Sequence, residues 1–204
     1  MTIDLDLVRA FHRREVEASD DELDAALGLP RRRPTGQPFE DEALVRRHPG
    51  ESFADLPTPY VVARDLFDVL RPSAADVVVD LGCATGRVVL YGGVVTEAQL
   101  LGVEIVEERA AVGATAAGAL GLSPRVTVTA GNVLDHDLGR ATIVYMFRPF
   151  GEATEAEVVR RLHDEARRRS LTVATMRMAR VAFDPDVFEP VATGTLTIHR
   201  SRRP

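Results

Sequence analysis

The sequence predicts an α/β fold in which helices cover both faces of a mainly parallel, doubly wound sheet. Three observations lead to this prediction. From Pro57 onward, short runs of branched apolar residues alternate with stretches of helical periodicity. A turn with two glycines, "GCATG" at residues 82–86, directly follows the first apolar run. Near the C-terminus, two short apolar runs flank Gly194, which indicates an antiparallel hairpin.

Two segments of the chain are predicted to differ in organisation. In "SDDELDAALGL", Ser19 is the predicted N-cap, Glu22 completes a capping box and Gly28 ends the helix. The proline-rich stretch "PRRRPTGQPFE" that follows is typical of a connector, and its arginines are predicted to be solvated. We therefore expect a helical N-terminal extension at residues 1–56 and a sheet-containing domain at residues 57–204.

The elements of the second segment follow from periodicity. The strands are predicted in "ADVVVDLG", "AQLLGVEI", "RVTVTAGNV", "ATIVYMFRPF" and "LTVATMRM", with two more in "FEPVATGTLTIHR". The helices are predicted in "PYVVARDLFDVL", "GRVVLYGGVV", "EERAAVGATAAGALGL" and "TEAEVVRRLHDEARRR". Thr154 and Glu157 are expected to form the capping box of the last helix. These elements give seven strands.

The composition excludes several classes of function. The chain has 25 arginines and no lysine. Schiff-base chemistry on a lysine and a phosphate-binding P-loop lysine are therefore excluded. The single cysteine, Cys83, excludes zinc sites built from cysteines. A net charge of −6 gives no support for nucleic-acid binding. There is no apolar run of membrane-spanning length and no secretion signal, so we expect a cytoplasmic protein.

Candidate site residues follow the predicted strands, because ligands of doubly wound sheets bind beyond the carboxyl ends of the strands. Asp80 precedes a turn that contains Gly82 and Gly86. This turn has neither the G-x-G-x-x-G motif nor the G-K-[ST] motif, so it lacks the residues that bind phosphate in those motifs. Glu104 ends the second strand, at the distance from the glycine turn where an acid binds the ribose hydroxyls in doubly wound folds. Alternatively, Glu104 is an acid that favours the start of the next helix through the helix dipole. Asn132 follows the third strand, where it could bind an adenine edge or shape a turn.

This combination resembles the class I S-adenosylmethionine-dependent methyltransferases from about Pro57 to the end. The resemblance implies their Rossmann-like seven-stranded sheet and S-adenosylmethionine as cofactor. It implies cofactor contacts for Asp80, Gly82, Ala84, Gly86, Glu104, Asn132 and Val133. The segments "LPTPYVVARDLFDVL", "DLGCATGRVVL" and "LLGVEIVEERA" are similar to the group of disruptor-of-telomeric-silencing histone lysine methyltransferases and small prokaryotic protein-lysine methyltransferases. In that group a "TP" segment closes over the cofactor, which adds Thr58 and Tyr60 to the cofactor residues.

The segment "YMFRPFG", after the fourth strand, is expected to face the methyl acceptor. N-methyltransferases of several kinds place Asn or Asp before the proline, whereas this chain has Arg148. Arginine only donates hydrogen bonds, so it opposes a cationic amine and favours a carboxylate, phosphate or phenolate. Alternatively, it points outward and pairs with Glu152 or Glu155. Tyr145 and Phe150 are candidate aromatic walls, and Tyr145 is also a candidate cofactor residue.

The sequence therefore predicts a methyltransferase that acts on a nitrogen or oxygen of a protein side chain or a small molecule. The alternatives are a regulatory or partner protein that binds S-adenosylmethionine without catalysis and, less favoured, an NAD-dependent oxidoreductase. We assign no histidine a catalytic role and expect no metal, nucleic-acid or membrane partner. The N-terminal extension is expected to be a lid and the acceptor wall.

Overall fold

Seven strands form one sheet in the computed structural model, which describes residues 3–30, 41–51, 53, 56–178, 182–192 and 194–202. The strands are β1 (Val77–Leu81), β2 (Gln99–Glu104), β3 (Val126–Ala130), β4 (Ile143–Phe147), β5 (Thr172–Met176), β6 (Phe188–Ala192) and β7 (Leu196–Ser201). Their order is β3-β2-β1-β4-β5-β7-β6. β7 is antiparallel to β5 and β6, and the other pairs are parallel. The predicted sheet and hairpin are confirmed.

Seven helices lie within the described ranges. They are α1 (Leu5–His12), α2 (Asp20–Ala26), α3 (Glu42–Arg47), α4 (Tyr60–Leu70), α5 (Arg87–Val95), α6 (Glu107–Ala119) and α7 (Glu152–Ala166). The capping box of Ser19 and Glu22 at the start of α2 is present as predicted. Helices α1 and α3 were not predicted individually from the sequence, and the arginine run 31–33 lies outside the described residues. None of the helices in the described ranges is long and apolar enough to span a bilayer.

Neighbouring residues of the central strands face opposite sides of the sheet and join different cores. Val78 of β1 packs with α4, α5 and α6, whereas Val79 belongs to the cluster under α7. Both side chains are almost fully buried, as expected for a central strand covered by helices on both faces. The small residues of α6 allow a close approach, since a Cβ at Gly113 would lie 2.7 Å from the carbonyl oxygen of Thr85. This packing fixes the turn that follows β1.

The N-terminal extension shares the core of the sheet. Val8 and Phe11 of α1, and Leu23 and Leu27 near α2, have no exposed surface and belong to the same cluster as α4 and α5. The division of the chain at residue 56 stays a prediction.

The start of α7 differs from the prediction. The helix begins at Glu152 with Gly151 as its N-cap, so the predicted capping box of Thr154 and Glu157 is wrong. The hydroxyl of Thr154 instead donates a hydrogen bond to Glu51, which also accepts one from the N–H of Gly151 at 2.8 Å. A carboxylate from a distant part of the chain therefore binds the donors at this helix end, a position that the helix dipole favours for an anion.

Candidate functional site

A pocket lies beyond the carboxyl ends of the parallel strands and has about 700 Å³ of empty space, including the part open to solvent. It is bounded by the turn after β1, the ends of β2 and β3, the loop after β4 and the N-terminal segment. The lining residues are His48, Glu51, Phe53, Leu56, Gly82, Ala84, Glu104, Ile105, Arg109, Asn132, Val133, Phe147, Arg148, Pro149, Phe150 and Thr154. Seven of the sequence-predicted site residues are among them. They are Gly82, Ala84, Glu104, Asn132, Val133, Arg148 and Phe150.

The glycine turn adopts left-handed backbone conformations at three positions. Gly82 has φ of 78°, Ala84 of 49° and Gly86 of 80°. A Cβ at Gly82 would lie 2.2 Å from the Cβ of Pro149, so only glycine allows the loop after β4 to pack on the turn. Ala84 carries a side chain in a conformation that costs an L-residue about 1–2 kcal/mol.

Glu104 stabilises this turn. One carboxylate oxygen accepts a hydrogen bond from the N–H of Ala84 at 2.8 Å, and the other accepts one from the N–H of Val106 at 2.9 Å. The residue is 5% exposed and lines the pocket. The acid at the end of β2 therefore fixes the turn after β1 on the shared pocket. Its predicted contact with a ribose stays a prediction.

Asp80 lies behind the turn at the end of β1. It is 4% exposed, and its carboxyl group makes no hydrogen bond to any residue that the structure describes. Burial, and secondarily the charge of Glu104, raises the pKa of Asp80 to about 8. Of the two neighbouring carboxyl groups, Asp80 is therefore mostly protonated at neutral pH.

Asn132 and Val133 lie on the pocket after β3. The side-chain oxygen of Asn132 accepts a hydrogen bond from the N–H of Leu134 at 2.9 Å, the geometry of an Asx turn. The turn-forming role considered for Asn132 is therefore present. An adenine contact by the same side chain stays a prediction.

Five predicted cofactor residues do not line the pocket. The hydroxyl groups of Thr58 and Tyr145 are hydrogen bonded to each other at 2.8 Å in the core, and the hydroxyl of Tyr60 donates to Asp24 at 2.8 Å. Burial raises the pKa of both tyrosines. The other two residues, Asp80 and Gly86, lie before and within the turn. The structure thus places Tyr145 in the core rather than on the acceptor wall, and the cofactor role of all five stays a prediction.

The loop after β4 presents Arg148 to the pocket. Arg148 is exposed and has φ of 41°. The alternative that it pairs with Glu152 or Glu155 is not realised, because Arg148 makes no ion pair or hydrogen bond within the described part of the chain. Phe150 lines the same pocket.

One wall of the pocket is a segment of the N-terminal extension, whose lining residues His48, Glu51, Phe53 and Leu56 were not singled out from the sequence. The expected role of the extension as lid and acceptor wall stays a prediction. Glu51 joins this segment to the start of α7, and a guanidinium nitrogen of Arg109 donates to the carbonyl of Phe53 at 2.7 Å. Gly151 permits the contact, since a Cβ there would lie 2.1 Å from the carbonyl oxygen of Gly50. Glu51 and Gly151 are 100 positions apart, and no local sequence pattern indicates a contact at that separation. Within the part of the chain that the structure describes, no group of three or more His, Cys, Asp or Glu side chains could hold a metal ion.

Comparison with known proteins gives one curated relative and many structural matches, whereas no family model matches the chain. A protein-lysine N-methyltransferase of Saccharolobus islandicus (strain REY15A) is 32% identical over 93 residues. The match covers 45% of this chain and 58% of that protein, so the chain matches less than two thirds of its relative.

Two solved structures match over most of their length. An RNA methyltransferase from Salinibacter ruber, in complex with S-adenosyl-L-homocysteine, superposes with a TM-score of 0.56 at 21% identity, covering 72% of this chain and 92% of that chain. A proposed RNA methyltransferase from Pyrococcus horikoshii gives a TM-score of 0.56 at 18% identity, with 90% and 98% covered. These superpositions confirm the Rossmann-like sheet predicted from the sequence.

Proposed function

We propose that this chain, whose fold is that of the class I methyltransferases, transfers a methyl group from S-adenosylmethionine to a nitrogen or oxygen acceptor. The observation that carries the proposal is the 2.8 Å hydrogen bond from the N–H of Ala84 to Glu104. It joins the glycine turn and the acid after β2 on one pocket, which Asn132 and Val133 also line. The name of the Saccharolobus relative and the S-adenosyl-L-homocysteine in the Salinibacter structure support the same function.

The pocket residues suit each part of this cofactor. We assign Gly82 and Ala84 to the methionine part, which needs no phosphate grip, and Glu104 to the ribose hydroxyls, because a carboxylate accepts from two hydroxyls. Asn132 and Val133 are assigned to the adenine, which requires a polar edge contact and an apolar face. Thr58, Tyr60, Asp80, Gly86 and Tyr145 are proposed to support these residues from the core.

The chemistry needs positioning more than proton transfer. When bound, S-adenosylmethionine supplies an electrophilic methyl carbon, whose bond to sulfur breaks as a lone pair of the acceptor attacks, leaving S-adenosylhomocysteine. The residues of the pocket hold the acceptor in line with that carbon, and such positioning can contribute about 7–11 kcal/mol. Phe53, Phe147 and Phe150 line the pocket, and their apolar rings would limit the access of water to a bound acceptor. No histidine was given a catalytic role from the sequence alone, but His48 lines this pocket, and we propose that its imidazole accepts the proton that leaves the acceptor.

Two classes of acceptor have support. A protein lysine is supported by the name of the relative, which matches over 93 residues. A small molecule is supported by the position of Arg148, because a guanidinium repels a cationic amine. A nucleic-acid acceptor is not proposed, because a net charge of −6 opposes a polyanion.

The proposal is tested with purified protein and S-adenosylmethionine that carries a radiolabelled methyl group. Incubation with a cell extract, followed by separation of proteins from small molecules, should place label in one of these fractions. Glu104→Ala should lose the transfer, whereas Glu107→Ala, which changes an exposed acid at the start of α6, should retain it. Cofactor binding without transfer to any fraction would favour the non-catalytic binding protein. Absence of cofactor binding would contradict both functions.

A further inference from the structure

Two arginines follow a pair of neighbouring residues at the edge of the sheet. Phe147 ends β4 and Met176 ends β5, and these residues are partners in the parallel ladder. Arg148 and Arg177 come next in the chain, and both are exposed. The guanidinium carbon of Arg177 lies 5.9 Å from the ring centroid of Phe147, which lines the pocket together with Arg148. The register therefore places the backbones of Arg148 and Arg177 next to each other, and the contact with Phe147 brings the Arg177 guanidinium to the pocket that Arg148 lines.

Neither Arg148 nor Arg177 makes a hydrogen bond or ion pair to a described residue, whereas the exposed Arg160 of α7 is paired with Glu157 and Asp164. The carboxylate of Glu51, on the same pocket, accepts hydrogen bonds from the start of α7. Two like charges that follow the ends of adjacent strands repel each other, so the arrangement favours binding of an anion.

The backbone also holds both arginines in an unfavourable conformation. Their φ angles are 41° for Arg148 and 53° for Arg177, in the left-handed region that costs an L-residue about 1–2 kcal/mol. Pro149 packs on Gly82 and fixes the loop after Arg148 against the glycine turn. Strain of this kind persists where the surrounding structure holds it in place, and it is concentrated at ligand sites.

We propose that Arg148 and Arg177 bind a carboxylate or phosphate group of a small-molecule methyl acceptor, an inference that rests on the proposed methyltransferase function. A guanidinium donates two parallel hydrogen bonds to either anion, and a second guanidinium adds further donors. Phe147 and Phe150 contact the apolar part of the same molecule. The anion then places the nucleophile of the acceptor toward the glycine turn, where the methyl group is transferred.

Three probes that share a ring and differ in charge test this proposal. Protein saturated with S-adenosylhomocysteine is titrated with benzoate, phenyl phosphate and benzylammonium, and binding is followed by NMR of the probes. We expect both anions to bind and benzylammonium not to bind. The relative affinities of the two anions distinguish a carboxylate acceptor from a phosphate acceptor. Failure to bind S-adenosylhomocysteine in the first step would instead count against the proposed function.

Variants distinguish anion binding by the two arginines from a general effect of positive surface charge. Arg148→Ala and Arg177→Ala should each weaken anion binding by about 10-fold or more, the effect of losing a charge-assisted hydrogen bond. The double variant should weaken it further, and Arg160→Ala should leave it unchanged. Thermal melting confirms that each variant is folded. Preference for benzylammonium, as for a lysine acceptor, would overturn the proposal. So would absence of anion binding, or unchanged binding by both single variants.

Discussion

Arg87 and Asp24 form a buried ion pair that joins the N-terminal extension to the helix after the glycine turn. The side chains are 5% and 4% exposed, and the Nε of Arg87 donates to the carboxylate of Asp24 at 2.9 Å while a terminal nitrogen donates to its other oxygen. Arg87 also donates to Asp20 at 2.8 Å and to the carbonyl of Thr58 at 3.1 Å, and its guanidinium lies over the ring of Tyr60. The first residue of α5 is thereby fixed by α2.

Removal of one partner should strongly destabilise the fold. Asp24→Ala leaves the Arg87 guanidinium buried without its main partner, and we expect a loss of about 3–5 kcal/mol in the free energy of unfolding. Urea denaturation measures this loss. Glu15→Gln, at the exposed Arg13–Glu15 pair, is the control and should leave stability nearly unchanged. The double variant Arg87→Leu with Asp24→Leu should be more stable than either single variant, because it buries no charge. Equal stability of Asp24→Ala and the control would contradict this account.

A methyl group at Gly82 should disrupt the contact between the glycine turn and the loop after β4. Gly82→Ala adds a Cβ that would lie 2.2 Å from Pro149, at a residue with φ of 78°. Gly121→Ala is the matched control, because Gly121 has φ of 68° and nothing within 4 Å of the added atom. We expect about 1 kcal/mol or more of destabilisation from backbone strain at Gly121 and a larger loss at Gly82. If denaturant titrations gave equal losses in the free energy of unfolding for both variants, Pro149 would have moved aside with no loss of stability, which would contradict this prediction.

Asp80 should make stability depend on pH in a specific direction. Its pKa is about 8 in the folded protein, against an ordinary value of 3.8, so between these values the folded state binds one more proton than the unfolded state. Stability therefore falls as pH rises from about 4 to 8. Asp80→Asn removes this contribution, and its melting temperature should rise relative to the wild type across that range. A constant difference between the two proteins would contradict the raised pKa.

Asp76 offers a control of opposite sign. Partial burial of Asp76 acts to raise its pKa, but hydrogen bonds from Ser73 and Thr142 to the carboxylate outweigh it, so the pKa lies below the ordinary value. Its stabilisation is therefore present above the ordinary pKa and is lost as pH falls through the lowered value. Asp76→Asn should accordingly destabilise the protein at neutral pH, with a difference that shrinks in acid.

Glu51 should control how firmly the N-terminal segment covers the pocket. Glu51→Ala removes the acceptor for the N–H of Gly151 and the hydroxyl of Thr154. Hydrogen bonds to a charged group contribute about 1.5–3 kcal/mol, so amide exchange in α3 should accelerate by roughly 10- to 150-fold. Thr154→Val, which removes one of the two bonds, should give a smaller effect. Unchanged exchange in α3 would show that the segment is held by other contacts.

Local patterns were sufficient to predict the sheet. Each strand is a short apolar run bounded by turn residues, and the capping box at Ser19 depends on residues three positions apart, so both could be recognised from the sequence. The positions of Glu104 and Asn132 followed from the rule that ligands bind at the carboxyl ends of strands.

The rest depends on contacts between distant parts of the chain. Glu51 binds the start of α7, so the helix begins before the capping box that the local pattern indicated. The alternation of side chains along β4 made Tyr145 a candidate wall of the pocket. Its side chain instead points to the core, where its hydroxyl is hydrogen bonded to that of Thr58. The pairing of β4 with β5, which brings Arg177 beside Arg148, is likewise a property of strand order.

The central claim is that the pocket beside Glu104 binds S-adenosylmethionine, and calorimetric titration tests it most directly. We expect S-adenosylmethionine and S-adenosylhomocysteine to bind with one site per chain and NAD not to bind. Glu104→Ala should weaken both sulfur ligands by roughly 10- to 100-fold, since it removes a charged acceptor, while Glu107→Ala should bind them like the wild type. Binding of NAD in place of the sulfur ligands, or an affinity unchanged by Glu104→Ala in a folded protein, would contradict the account.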